Sequence, residues 1–427
     1  MPDSPSPPGT SQPGPSLQQR AAAAAAESGR ESGIALCLSG GGFRAALFHL
    51  GALRRLHELG ILQRVAAISS VSGGSIFAAF LATRLRQTGR PLTAAIVDWQ
   101  KEVAQPFRAF CGRDLRTLPV LLNLPWNWLW PAPLLRQLES RYRTRLTQLA
   151  LRELPGTPRF TLCATDLTFG VNWEFDRDGA RDYQAGRLAL AAEWPLARAV
   201  AASASFPPLF GPMSIRQRPE DYQGGDFIAA AGSKLRRRIE LTDGGVYDNM
   251  GLEPVWKHWT HVLISDCGAP FDFRIDTTPL RRLLRYTAVV TNQTRALRLR
   301  LFFSDTNAGR YHGAYWSLTS GVKPTGAAAG AAYAGYSQAL ADDVLGKIRT
   351  DLDSFSEAEM SVLENHGYFA AERSIRKHAA ELVAPDAKPA ELPYPEWIDE
   401  AKVRRELSDS ARRISLRRIL RTLGMGR

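Results

Sequence analysis

One serine, one aspartate and a run of three glycines are the residues of this chain that could do chemistry. Ser72 stands in Ala67-Ile-Ser-Ser-Val-Ser-Gly-Gly-Ser-Ile-Phe-Ala-Ala-Phe80, which reads as an apolar strand, a sharp turn and a helix. Ser72 falls at the turn, with Gly73 and Gly74 directly behind it. So tight a turn presses strand against helix, and the positions two before and two after the serine must be small. Ser70 and Gly74 fill them. A serine held this way projects its hydroxyl as a nucleophile. Upstream, Ile34-Ala-Leu-Cys-Leu-Ser-Gly-Gly-Gly-Phe-Arg44 closes a strand with Gly40, Gly41 and Gly42. Three glycines let several amides converge where the following helix adds its positive end, a nest for a phosphate or a developing oxyanion. Downstream, Ile239-Glu-Leu-Thr-Asp-Gly-Gly-Val-Tyr-Asp-Asn249 sets Asp243 at a strand end before two glycines. A carboxylate is a weak base in water, and a close-packed, partly desolvated surround strengthens it.

The order GGGxR, GxSxG, DG[GA] along the chain resembles the patatin-like phospholipase family. Ala202-Ser-Ala-Ser-Phe-Pro-Pro-Leu-Phe210 is also similar to the segment that family carries between serine and aspartate. Ser70 departs from the pattern, which has glycine there. The resemblance implies a three-layer αβα fold with a mainly parallel central sheet, to which the residues themselves add a helical C-terminal region. It implies a Ser72–Asp243 dyad without histidine, acting on phospholipid or another acyl lipid with no cofactor and no metal. The amides of Gly40, Gly41 and Gly42 would stabilise the oxyanion. Arg44 follows that run, with two roles open to it, bracing the loop or meeting a phosphate, besides an ordinary ion pair on the first helical turn.

The elements that must position these residues are legible locally. Residues 34–39 read as a strand with no polar alternation, hence covered on both faces. Phe43 to Gly60 carries Leu47, Leu50, Leu53 and Leu56 at helical spacing. Val65–Val71 and Ser75–Arg86 repeat strand and helix, an order that argues for a parallel sheet with its site at the strand ends. Phe160–Phe175 reads as two strands around a turn with Asp166 as its cap. Pro195–Ala204 reads as a helix, Tyr222–Phe227 and Arg238–Leu241 as strands, and His261–Asp266 as the last clear strand. Asp248 and Asn249 cap a helix expected near Gly251. Leu280–Leu301 looks helical, Thr325–Tyr336 is a Gly/Ala-rich loop, and Ser356-Glu-Ala-Glu359 opens a helix toward Lys377 that is expected to kink near Gly367.

Composition sets the frame. With 427 residues and a net charge of +12, the chain can bury a large core and favours anionic partners. Nine Lys/Arg against two Asp/Glu lie within residues 401–427, so +7 of the excess is one tail. There Leu416, Ile419, Leu420 and Leu423 share a helical face among arginines, an amphipathic pattern suited to an anionic membrane. The expected organisation is a disordered segment over 1–32, a catalytic domain over 33–275 with an insertion near 90–155, a packed helical extension over 276–384, and a linker with the basic tail over 385–427. Trp126, Trp128 and Trp130 in the insertion suit a packed wall, an acyl-chain lid or a membrane boundary. Four scattered cysteines without a CxxC pair read as buried thiols, and no run is long enough to span a bilayer. The N-terminus has no signal-peptide pattern. The expectation is a cytoplasmic protein with peripheral membrane contact.

Four other readings compete. A Ser–His–Asp triad would draw on His49, His57, His258 or His261, and Asp248 is a second carboxylate within reach of the motif. A non-catalytic membrane- or partner-binding module would use the basic tail and the tryptophans. Nucleotide binding lacks the lysine and hydroxyl of a P-loop, and nucleic-acid binding lacks aromatic platforms beside the arginines, so no nucleic acid is expected.

Overall fold

The computed structural model describes residues 29–89, 96–115, 132–207, 210–227, 234–273, 275, 278–322 and 335–412. The N-terminal segment up to residue 28, Trp126, Trp128 and Trp130, most of the Gly/Ala-rich stretch and the tail beyond Arg412 lie outside the described residues.

The chain enters through β1 (Glu31–Leu38). Ile34, Leu36 and Leu38 join one apolar cluster, and Ala35 and Cys37 join another. Successive strand residues face opposite ways, so β1 is covered on both sides. The helix α1 (Gly42–Glu58), strand β2 (Val65–Val71) and helix α2 (Gly73–Thr88) follow in the expected alternation. Within the insertion, α3 (Gln105–Cys111) and α4 (Ala132–Arg145) pack back on the core, with Phe107 against Phe77 and Phe80. Then come β3 (Arg159–Asp166), β4 (Val171–Asp176), β5 (Gly179–Asp182) and β6 (Gly186–Leu188). They are followed by α5 (Leu196–Ser203), β7 (Met213–Ile215), β8 (Ile239–Asp243) and the single turn α6 (Gly245–Asp248). The last strands and helices are β9 (Trp259–Asp266), α7 (Pro279–Asn307), β10 (His312–Ser317), α8 (Gln338–Asp343), α9 (Glu357–His378) and α10 (Glu400–Glu406).

The sheet runs β10-β9-β1-β2-β3-β4-β5-β6, with β8 beside the end of β3 and β7 beside β8. From β10 to β3 every pairing is parallel, and beyond β3 every pairing is antiparallel. One face carries α1, α2, α5 and α9 in the main apolar cluster. The other is covered by Met250, Leu252, Val255, Phe302 and Tyr311. This is the three-layer arrangement with a parallel centre.

Several local expectations change. Tyr222–Phe227 forms no strand: Gln223 makes one isolated bridge to Arg187. β10 extends the sheet past β9, although its Gly-Ala core gives it little strand propensity. After Gly251 the chain makes turns rather than a helix, yet Asp248 does cap it, accepting from the amides of Met250, Leu252 and Glu253. The capping box of Ser356 and Glu359 forms as expected. α9 then runs unbroken through Gly367.

Gly367 serves a different purpose from a kink. A Cβ there would lie 1.9 Å from the Phe48 carbonyl oxygen, and one on Gly51 would lie 1.9 Å from that of Glu364. Helices α1 and α9 therefore touch backbone to backbone at two glycines. Ion pairs flank the crossing: Arg55 with Glu372 at 2.7 Å, and Arg108 with Glu364 at 3.2 Å. The sheet and this crossing both run across the boundary expected at residue 275. All four cysteines are buried and unpaired. Among the described residues no helix is long and apolar enough to cross a membrane.

Candidate active site at the strand ends

The parallel register sets the level of the site. Leu38 pairs with Ser70, and Val71 pairs with Cys163, so β1 and β2 end together, at the level of Cys163 in β3, which runs on to Asp166. β8 descends on β3 in the opposite sense, and Asp243 pairs with Ala164 at that same level. Three distant segments thus converge at one edge.

Ser72 has φ 51 and ψ −114, and among the described residues no other non-glycine has a positive φ. Such backbone costs of order 1–3 kcal/mol and persists only where its surroundings impose it. The surroundings here are serines. Ser72 N donates to Ser203 Oγ at 2.9 Å, and Ser203 Oγ donates to the Cys163 carbonyl at 2.6 Å. Ser75 Oγ lies 2.9 Å from Ser203 Oγ and donates to Ser70 Oγ at 3.1 Å. Ser70, the departure from the glycine pattern, is therefore a member of the brace. Behind the turn a Cβ on Gly73 would lie 2.1 Å from the Gly42 carbonyl oxygen, and one on Gly74 would lie 2.3 Å from that of Leu38. Only glycine lets the turn and the upstream loop approach so closely.

Asp243 is buried. Its Oδ1 accepts from Gly245 N at 2.7 Å, and its Oδ2 has no hydrogen-bond partner. Burial pushes its pKa up to about 7, against the lowering pull of the Gly245 amide and the Ser72 hydroxyl. The Ser72 hydroxyl favours the ionised carboxylate, while Asp243 Oδ2 makes no formed hydrogen bond; catalytic hydrogen bonds often tighten only in the complex with substrate. A carboxyl balanced near neutrality is half ionised at neutral pH, which suits a general base. Its strand is fixed by Ser205 O, which receives Asp243 N at 3.2 Å and Thr242 Oγ1 at 3.0 Å.

The glycine loop is divided in its roles. Gly40 N donates to Asn249 O at 2.9 Å, so that amide cannot also meet an oxyanion. This corrects the expectation of three equal donors. Gly41 and Gly42 have φ 143 and 60 and no amide partner among the described residues. Arg44 is buried, and its Nη1 and Nη2 donate to the Ile348 and Cys267 carbonyls at 2.7 and 2.9 Å. It braces the loop from behind and has no local ion pair among the described residues.

The histidines are placed elsewhere. His49 is buried, with Nδ1 2.8 Å from Ser265 Oγ and Nε2 2.9 Å from Ser39 O. Burial lowers its pKa to about 4, so both nitrogens are engaged on a neutral ring. His57 stacks on Trp99 and His261 on His312. None of these, nor His258, contacts Ser72 or Asp243. Asp248 is occupied by three amides and by Arg298 at 3.5 Å.

Sequence reasoning missed Ser203 and Tyr142, and it read Asn249 only as a helix cap. Ser203 lies in a stretch singled out only as a whole. Asn249 ties the aspartate turn to the glycine loop. Tyr142, on α4, is fully buried with an unpaired hydroxyl, and the Asp243 charge adds to the burial that raises its pKa. No local pattern marks what any of the three does, because each acts across a long separation in sequence.

A family model described as patatin-like phospholipase matches residues 36–256. No curated protein matches the chain. Among solved structures, human GIVD cytosolic phospholipase A2 is 15% identical with a TM-score of 0.36, over 58% of this chain and 47% of that one. VipD from Legionella pneumophila is 14% identical with a TM-score of 0.35, over 82% and 67%. The type III effector ExoU is 13% identical with a TM-score of 0.27, over 81% and 53%. This chain thus spans about half the length of the human protein.

Proposed function

The chain belongs to the patatin-like phospholipase family, and from that premise we propose that it is a serine lipid acyl hydrolase of phospholipase A or lysophospholipase type. Its substrates would be carboxylic esters of phospholipids or related acyl lipids, met by peripheral contact with an anionic membrane. The observation that carries this reading is the convergence of a strained serine, almost wholly buried, with a buried aspartate whose pKa is about 7.

Ser72 Oγ attacks the acyl carbonyl while Asp243 Oδ2, the open oxygen, takes its proton. The tetrahedral oxyanion sits against the amides of Gly41 and Gly42, and against Gly73 N directly after the nucleophile. Each such donor is worth roughly 3 kcal/mol in acyl transfer. Collapse breaks the ester C–O bond, and Asp243 returns the proton to the leaving alcohol. Asp243 then deprotonates water for attack on the acyl-enzyme, which releases a fatty acid and frees Ser72.

An alkyl fluorophosphonate should label Ser72 stoichiometrically, with loss of fluoride, as read by peptide mass spectrometry. Wild type should hydrolyse a fluorogenic ester, and Ser72→Ala should neither react nor turn over. Labelling at another residue, or equal turnover by Ser72→Ala, rejects the proposal. His49→Asn should keep turnover within about tenfold, and a variant as inactive as Ser72→Ala restores the triad.

A further inference from the structure

Helix α7 is built to two standards. Its C-terminal half is anchored: Phe302 is buried near Val262 and Gly313, Arg298 pairs with Glu253 at 3.1 Å, and Arg295 pairs with Asp266 at 2.6 Å. Asp266 is the last residue of β9, so Arg295 marks the level at which the parallel strands end. The N-terminal half continues past that level. At about 1.5 Å per residue, the fourteen positions from Arg295 back to Arg281 carry it roughly 21 Å further. Arg285 confirms the direction, since it donates to the Asp272 carbonyl in the loop leaving β9. Ser72 and Asp243 lie at the same strand ends, so this half of α7 stands on their side of the sheet.

No described side chain from Pro279 to Val290 is buried. Leu283, Tyr286, Val290, Leu297 and Leu301 recur at three-, four- and seven-residue spacing and fall on one stripe, each more than half exposed. Just before the helix, Phe273 and Ile275 are 91% and 93% exposed. A contiguous apolar surface of this kind on a water-soluble face marks an interaction site. Charge decides the occupant. The 29 residues of α7 hold six arginines and a single acid, Asp305 near the far end. Arg295 and Arg298 are bound internally, while Arg282 and Arg300 are exposed beside the stripe and Arg281 is exposed on the opposite face. A second copy would set arginine against arginine, and the basic tail carries the same sign. An anionic lipid surface takes both the charge and the apolar stripe.

We infer that the projecting half of α7, with Phe273 and Ile275, is the surface by which this protein docks on anionic membranes, its stripe inserted at the headgroup boundary and its arginines on lipid phosphates. This rests on the lipid-hydrolase reading and deepens it, since the docked helix would set the rim of the active site against the lipid. The anchors also tie it to the site: Arg298 holds Asp248, and Arg295 holds Asp266.

The test is vesicle sedimentation in a Ser72→Ala background, using phosphatidylcholine with or without phosphatidylglycerol. Leu283→Ser/Tyr286→Ser/Val290→Ser and, separately, Arg281→Glu/Arg282→Glu should each bind the anionic vesicles at least about tenfold less than the parent. With Ser72 restored, both should keep wild-type turnover of a soluble short-chain ester. Unchanged vesicle binding by both variants overturns the inference. So does equal parental binding to neutral vesicles, or a parental dimer that the substitutions dissociate. Failure of wild type to turn over any ester rejects the hydrolase reading instead, and leaves the vesicle comparison to judge the surface alone.

Discussion

Two buried aspartates close two strands of this protein, and they are treated in opposite ways. Asp266, at the end of β9, receives Arg295 through two nitrogens at 2.6 and 2.8 Å, Tyr315 OH at 2.9 Å and Gly268 N at 2.9 Å. Burial, the largest single influence, would raise its pKa, but the Arg295 charge together with the hydrogen bonds from Gly268, Arg295 and Tyr315 holds it below the usual carboxylate range. Asp243, at the end of β8, receives one amide and has an open oxygen, and burial pushes it up to about 7. Depth in the fold is the same, and the partners differ. A fully satisfied carboxylate is a permanent anion that holds structure, whereas an under-satisfied one can accept and return a proton.

The comparison is sharpest in activity. Ser72→Ala or Asp243→Asn should lower kcat/KM for an ester by at least about 10⁴-fold, by analogy with other serine nucleophile–base sets. Both should fold, as judged by an unchanged circular dichroism spectrum. Asp266→Ala should do the reverse: it strands the partly buried Arg295 and should cost about 3 kcal/mol in urea unfolding. A variant at position 266 that is stable but inactive would break the distinction between the two sites.

Stability against pH gives a middle-sized test. The unfolded chain loses the Asp243 proton near pH ~4, and the folded chain near 7. Across that window the native state holds the extra proton, so stability falls as pH rises. Asp243→Asn removes this penalty, and at pH 8 it should be more stable than wild type by up to about 4 kcal/mol. Asp266 contributes with the opposite sign, with its stabilisation present above the unfolded value and lost as pH falls. The rate should track the same ionisation: kcat/KM should drop about tenfold per unit below pH 7. A flat acid limb down to pH 5 would refute Asp243 as the base.

The smallest effect belongs to the brace. Ser203→Ala removes the acceptor of Ser72 N and should cost about 1 kcal/mol of stability with roughly tenfold in kcat. Loss confined to stability would reduce Ser203 to packing.

What was legible in the sequence was local. The strand–turn–helix at Ser72 and the glycine run at 40–42 declare themselves because close approach forces small residues into adjacent positions. The capping box at Ser356 is equally self-contained. The descent of β8 onto β3, the pairing of β10 with β9 and the interior role of Arg44 were not legible, since each depends on a partner far along the chain. The same holds for Gly40, whose amide looks identical to its neighbours until Asn249 takes it. Gly367 reads as a weak point in a helix when seen alone, and as a contact surface once Phe48 lies against it.

That contact has a consequence for how the protein is made. The glycine loop is finished from behind by the Arg44 bond to Ile348, 304 residues later in the chain, and by Phe43 N on the Asp351 carbonyl at 2.9 Å. α1 is likewise backed by α9. A ribosome that has delivered the nucleophile and the aspartate has therefore not yet delivered a working loop. Nascent chains arrested at residue 340 should be inert, while release after residue 412 should switch on ester turnover. On the proposed reading, ester turnover would begin only once α9 has joined α1.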